Sequence, residues 1–199
     1  IPLDTLMSSW EAPLEPVFAT KTESEKPVQV PSFSYSQRPT KTASLSKFAS
    51  PRVLITVFPG TNCEYDTARA FDRAGAKSDI FVFRNITAAA LEQSINELAQ
   101  RIKSAQIFML PGGFSGGDEP DGSGKFITAV LRNKQVRDAL TELIEKRDGL
   151  VLGICNGFQA LLKSGLLPYG QISDELTPDS ATLTYNTIGR HQSRMVCTR

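Results

Sequence analysis

From Arg52 onward, short unbroken apolar runs alternate with longer segments of helical periodicity. The runs are Val53–Phe58, Ile80–Phe83, Ile107–Leu110 and Leu150–Ile154. They are rich in β-branched and aromatic residues and too short for helices, so each predicts a buried parallel strand. Pro59-Gly60 closes the first and Pro111-Gly112-Gly113 the third. Between them, residues 64–74 place Ala68, Phe71 and Ala74 on one helical face, with Gly75 as the stop. Thr87 is positioned to cap a long helix whose Leu91, Ile95, Leu98 and Ile102 recur at spacings of four, three and four. Residues 126–146 read as helical with a break near Asn133. Strands that alternate with helices predict an open α/β domain, a parallel sheet covered by helices on both faces. In such domains ligands sit beyond the carboxyl ends of the strands, so the loops after the runs are where function is sought.

Glycine divides the chain. None of the 14 glycines precedes Gly60, whereas residues 1–50 hold 6 Pro, 9 Ser and 5 Thr. That composition opposes long helices and central strands. Pro27–Ser50 therefore reads as an extended linker. Leu3–Phe18, with Trp10, Leu14, Val17 and Phe18, reads either as a tail draped on the domain or as the end of a preceding one. The expected division is a connector over residues 1–50 and a domain over 51–199. The first residues, Ile-Pro-Leu-Asp, have no basic segment of a signal peptide, and with no initiator Met the chain is expected to begin inside a longer polypeptide.

Charge and cysteine content narrow the classes. The formal net charge is +1, with no long basic block, which leaves no electrostatic footprint for nucleic acid. No run is long enough to span a membrane as a helix. The three cysteines, Cys63, Cys155 and Cys197, are an odd number without CxxC spacing. They predict neither a disulfide framework nor a metal site, and the expected compartment is the reducing cytoplasm.

Chemistry concentrates at three strand ends. In Gly153-Ile154-Cys155-Asn156-Gly157-Phe158-Gln159 an apolar strand runs into a cysteine flanked by glycines at −2 and +2. Small flanking residues permit the sharp strand-to-helix turn that exposes a nucleophile, the logic of the G-x-S-x-G elbow. A helix N-terminus there favours an anionic, reactive sulfur, and the Asn156 N–H is placed to hold an oxyanion. A buried structural cysteine between two packing glycines satisfies the same pattern. Leu110-Pro111-Gly112-Gly113-Phe114-Ser115 lets backbone approach a ligand closely and offers a second oxyanion donor, and it also fits a plain turn. Phe58-Pro59-Gly60-Thr61-Asn62-Cys63 is a third such loop, and Cys63, which lacks the glycine-flanked setting, reads as a packing or ligand-loop residue.

Taken together, residues 58–63, 110–115 and 153–159 resemble class I (triad-type) glutamine amidotransferases, and within them the glutaminase domains of phosphoribosylformylglycinamidine synthases of the large, fused form. The resemblance covers about residues 51–199 and includes Asn186–Val196 with Arg190 and Arg194; Trp10–Phe18 resembles the end of the synthetase part. It implies a flavodoxin-like open sheet. It further implies that Cys155 attacks the side-chain amide carbon of glutamine, that backbone N–H groups near Gly113, Phe114 and Asn156 hold the oxyanion, and that Gln159 lines the glutamine site. The ammonia released passes to a synthetase domain, the implied protein partner, which adds it to formylglycinamide ribonucleotide in purine synthesis. ATP and Mg²⁺ belong to that part, and no cofactor or metal is expected in this chain.

One element of the family pattern is missing. Its base is a His followed two residues later by Glu, whereas the one histidine here, His191, is followed by Ser193 and lies too early in the pattern. A Cys155–His191 dyad is therefore not expected; His191 reads as a surface residue, the domain as incomplete at Arg199, and the chain alone as a poor glutaminase. The alternatives are a catalytically idle docking module for the synthetase part and a glutamine-indifferent cysteine hydrolase or chaperone-like protein on a related fold. Two further patterns fail. Gly122-Ser123-Gly124-Lys125 is followed by Phe126, not the Ser or Thr of a phosphate loop, and Asp118, Glu119 and Asp121 lack EF-hand spacing. Residues 116–124 read as a mobile loop, and Arg132, Lys134 and Arg137 as solvated helix surface.

Overall fold

The computed structural model describes residues 1–13, 15–17, 50–114, 124–178, 180, 181, 183, 186, 191, 193 and 195. The chain forms two compact units, Ser44–Leu183 and a smaller one that joins Ile1–Ala43 with Thr184–Arg199. In the smaller unit a helix, α1 (Leu3–Glu11), buries none of its residues, and Trp10 is 83% exposed. The Pro- and Ser-rich composition had not suggested this helix. Asp4 in its first turn complements the helix dipole. The expected linker, apart from Ser50, and the 116–123 loop lie outside the described residues.

The larger unit is an α/β domain with an open, all-parallel sheet. Its strands are β1 (Arg52–Val57), β2 (Lys77–Val82), β3 (Ile107–Leu110) and β4 (Leu150–Gly153), in spatial order β2-β1-β3-β4. All three pairings are parallel, with Ile55 opposite Ile80 and Met109, and Phe108 opposite Val151. The helices between them are α2 (Glu64–Arg73), α3 (Ala88–Ser104), α4 (Lys125–Arg132) and α5 (Lys134–Thr141); α6 (Asn156–Ser164) and α7 (Leu166–Tyr169) follow β4.

The strand runs put helices on both faces, because side chains in a strand alternate between the faces. On one face Val53, Ile55 and Met109 pack with Ala68 and Phe71 of α2. On the other, Leu54, Phe108 and Leu110 join Leu98 and Ile102 of α3, Ile127 and Leu131 of α4, Leu140 of α5 and Leu161 of α6. Local signals behave as their chemistry predicts. Thr87 Oγ1 accepts from Ala90 N at 3.1 Å and caps α3. Asn133, in an extended conformation, breaks the 126–146 segment, and its side chain accepts from Gln135 N to start α5. A π-helical turn, Glu142–Lys146, continues α5. Gly75 ends α2 with φ +89°, a conformation that costs glycine little.

Three expectations are corrected. Ala74 follows α2 as its C-cap and is exposed rather than buried with Ala68. The β4 run is apolar but not wholly buried: Leu150, Leu152 and Ile154 are 58%, 43% and 50% exposed. Among the described residues β4 lies at the edge of the sheet, and α2 packs chiefly on β1 and β2. Arg132 and Arg137 are not merely solvated. Arg132 donates to Ser173 O (2.9 Å) and Lys163 O (3.1 Å), while Arg137 pairs with Asp174 and donates to Arg132 O. Both tie the segment after α7 to the helices, whereas Lys134 is exposed and pairs with Asp138.

Candidate active site

The loops after β1, β3 and β4 meet at the carboxyl edge of the sheet, because β3 lies between β1 and β4. The β1 loop is a tight turn anchored from below. Phe58 is buried, its ring centroid 5.2 Å from Phe83 and 6.0 Å from Phe126. Thr61 N donates to Phe58 O (2.9 Å), and Phe58 N donates to Thr61 Oγ1 (3.1 Å). An isolated antiparallel bridge, Thr61 to Gly113, then joins this loop to the β3 loop. Gly113 has φ +135°, and a Cβ there would lie 2.3 Å from Gly60 O. Only glycine permits that approach.

The β4 loop makes the elbow. Cys155 has φ 52° and ψ −108°, which for a non-glycine residue costs about 1–3 kcal/mol. The turn is held by Ile154 N donating to Leu110 O (3.0 Å) and Gly157 N donating to Ile154 O (2.9 Å). Both flanking glycines are required by packing. A Cβ on Gly157 would fall 2.1 Å from Leu110 O, and one on Gly153 would fall 2.7 Å from the backbone of Gly157. The reading of Cys155 as a buried structural thiol is corrected: it is exposed, at the N-terminal end of α6.

The other expected site residues distribute as follows. Asn156 is buried in the first turn of α6, and its Nδ2 donates to Oε1 of half-buried Gln159 at 3.3 Å. Phe114 has an exposed ring, and its N–H donates to Gly60 O at 2.9 Å. That N–H is therefore committed to the β1 loop, whereas Gly113 N–H has no acceptor among the described residues. Cys63, read as a packing or ligand-loop residue, lies across Gly112 from Cys155. Its sulfur lies 3.4 Å from where a Cβ on Gly112 would sit, and Cys155 Cβ lies 3.4 Å from the same point. Its thiol donates to Asn62 Oδ1 at 3.1 Å. Glu64, beside it, has a buried Oε2 without a hydrogen-bond partner among the described residues, at the N-terminus of α2 where the dipole favours a carboxylate. His191 is exposed and belongs to the smaller unit. No group of three or more His, Cys, Asp or Glu among the described residues is placed to hold a metal ion.

Cys155 is thus an exposed cysteine at positive φ on a tight strand-to-helix turn, the backbone arrangement of a nucleophile elbow. The sequence model of the CobB/CobQ-like glutamine amidotransferase domain matches residues 50–199, and the chain belongs to that family. It is 40% identical over 149 residues to the phosphoribosylformylglycinamidine synthase subunit PurQ of Dehalococcoides mccartyi, covering 72% of this chain and 50% of that protein. The same subunit from Methanococcus maripaludis is 36% identical over 148 residues, covering 73% and 48%. The structure of PurLQS from Thermotoga maritima aligns with a TM-score of 0.40 at 28% identity, covering 59% of this chain and 46% of that one. The chain spans about half the length of these relatives.

Proposed function

We propose that this chain is glutaminase machinery of a phosphoribosylformylglycinamidine synthase, with Cys155 as its nucleophile. The observation that carries the reading is the backbone of Cys155, held at φ 52° and exposed at the start of α6. The glutamine amidotransferase family supports the choice of glutamine as substrate, and the PurQ relatives support the choice of synthase. Cys155 Sγ attacks the amide carbon of glutamine, and the C=O electrons move onto oxygen. The oxyanion is received by N–H groups of Asn156 and Gly113, with Gly113 preferred over Phe114 because the Phe114 N–H already serves Gly60. Collapse restores the C=O bond and breaks the C–N bond, the nitrogen leaving as ammonia with the proton that the Cys155 thiol gave up, and water then hydrolyses the glutamyl thioester to glutamate and the free thiol. Ammonia then passes to a synthetase partner that holds ATP and Mg²⁺ and acts on formylglycinamide ribonucleotide in the cytoplasm. Gln159, fixed by Asn156, lines the glutamine side of the nucleophile.

His191, followed by Ser193 two residues on, does not match the family's His-x-Glu base, so turnover is a poor readout of Cys155 in this sequence. Labelling is therefore the better test. A glutamine-analogue chloroketone should alkylate Cys155 in preference to Cys63 and Cys197, and free glutamine should protect it. Uniform labelling of the three thiols with no protection would sink the glutaminase reading and favour an idle docking module.

A further inference from the structure

The strand order places Cys63, at the end of the β1 loop, and Cys155, after β4, on either side of Gly112, which follows β3. A Cβ on Gly112 would touch Cys63 Sγ and Cys155 Cβ at 3.4 Å each, so those two atoms are separated by no more than twice that distance. Its absence leaves that position open. Cys155 is exposed, whereas Cys63 is half-buried, and its thiol bonds only Asn62 Oδ1 among the described residues. An exposed thiol beside a sheltered second one is the arrangement of a peroxide-sensitive pair.

We propose that Cys63 is the resolving thiol for Cys155. A hydroperoxide oxidises Cys155: the sulfur attacks the peroxide, an S–O bond forms, the O–O bond breaks, and the reduced fragment leaves as water or an alcohol. The Cys63 sulfur then attacks the Cys155 sulfur. An S–S bond forms, the S–O bond breaks, and the oxygen leaves as water with the Cys63 proton. Bridging requires the Cβ atoms to come within about 3.5–4.5 Å; turning the side chains moves only the sulfurs, so the Cys63 turn must also shift toward Gly112. The disulfide silences Cys155 reversibly and prevents its irreversible oxidation to the sulfinic acid. A dithiol reductant restores both thiols. The inference rests on geometry and thiol chemistry and does not require Cys155 to act on glutamine.

The test treats the whole reduced chain with hydrogen peroxide, quenches with N-ethylmaleimide, and reads intact mass and peptide maps. The expected product has lost two hydrogens and two free thiols, yields a linked Cys63–Cys155 peptide pair, and reverts with dithiothreitol. Cys197→Ser should behave identically. In Cys63→Ser, a 1,3-diketone probe should trap sulfenic acid on Cys155, and longer exposure should give a sulfinic acid that dithiothreitol does not reverse. Gly112→Ala, whose methyl meets both cysteines at ordinary contact distance, should fold and bridge about tenfold more slowly. Wild-type protein that accumulates Cys155 sulfenic acid as Cys63→Ser does, bridging only to Cys197, or unaltered bridging in Gly112→Ala would each overturn the proposal. Because no glutamine analogue is used, this test and the labelling test fail independently.

Discussion

Replacing Gly157 with alanine tests whether the elbow depends on helix α6 lying directly against β3. The new Cβ would sit 2.1 Å from Leu110 O and 2.7 Å from both C and Cβ of Leu110. Ordinary contact begins near 3.4 Å, so α6 must retreat by more than an ångström or Leu110 must move. Leu110 has little freedom. It is fully buried, and its carbonyl accepts from Ile154 N, the bond that sets the turn into Cys155. Overpacking costs about 1–3 kcal/mol, and the upper end applies here because backbone collides with backbone. The helix-propensity gain of alanine over glycine, about 1 kcal/mol, offsets part of it. The expected net destabilisation is about 2 kcal/mol, which lowers Tm by roughly 4–8 °C for a chain of this size. Urea unfolding followed by far-ultraviolet circular dichroism reads this as a lower midpoint at constant slope. Trp10 is unsuitable as a reporter because it sits exposed on α1 in the other unit. The retreat also carries the N-terminus of α6 away from Gly113, so labelling by the glutamine analogue should slow more than alkylation by iodoacetamide. Gly75→Ala is the control: it meets nothing within 4 Å and pays only for its positive φ, about 1–2 kcal/mol, without altering labelling. Stability within about 0.5 kcal/mol of the parent, together with unchanged labelling, would refute the close-packing account of Gly157.

Two further outcomes follow from single interactions. Thr87→Ala removes the cap on α3 and should cost about 1 kcal/mol in urea unfolding, with most of it restored by Thr87→Ser. The hydrogen bond from Arg137 outweighs desolvation and, with lesser help from the charges of Arg137 and Arg132, holds the Asp174 carboxyl below the usual aspartate range. That contribution is complete above the unfolded pKa of aspartate and is lost as pH falls through the depressed folded value. Asp174→Asn should therefore lower the urea midpoint slightly at neutral pH and flatten its decline at acid pH; parallel acid limbs in the two proteins would contradict this.

Much of the domain is written in short stretches of sequence. The strand runs, the Thr87 cap, the Asn133 break and the stop at Gly75 depend on neighbours within a few residues, and backbone preferences act over that range. The elbow belongs with them. Glycine at 153 and 157 around Cys155 announces a turn that only small flanking residues allow, and the structure shows which backbone atoms exclude anything larger. The helix α1 escaped because its proline-free stretch, 3–12, is short, and proline counts over a longer window conceal it.

What the tertiary structure alone decided concerns which distant segments lie side by side. An apolar run announces that it can be buried, not what buries it; hence β4 reads like β1 yet leaves Leu150, Leu152 and Ile154 exposed at an edge. The order β2-β1-β3-β4 brings Cys63 within reach of Cys155 across Gly112, though 92 positions separate them in the chain. The same order commits the Phe114 N–H to Gly60 and leaves the Gly113 N–H without an acceptor among the described residues. Arg132 and Arg137 read as surface charge until the fold places carbonyls and a carboxylate around them. Local dihedral preferences carry no information about these pairings, because their energy arises only when the strands are assembled and the loops at their ends are brought together.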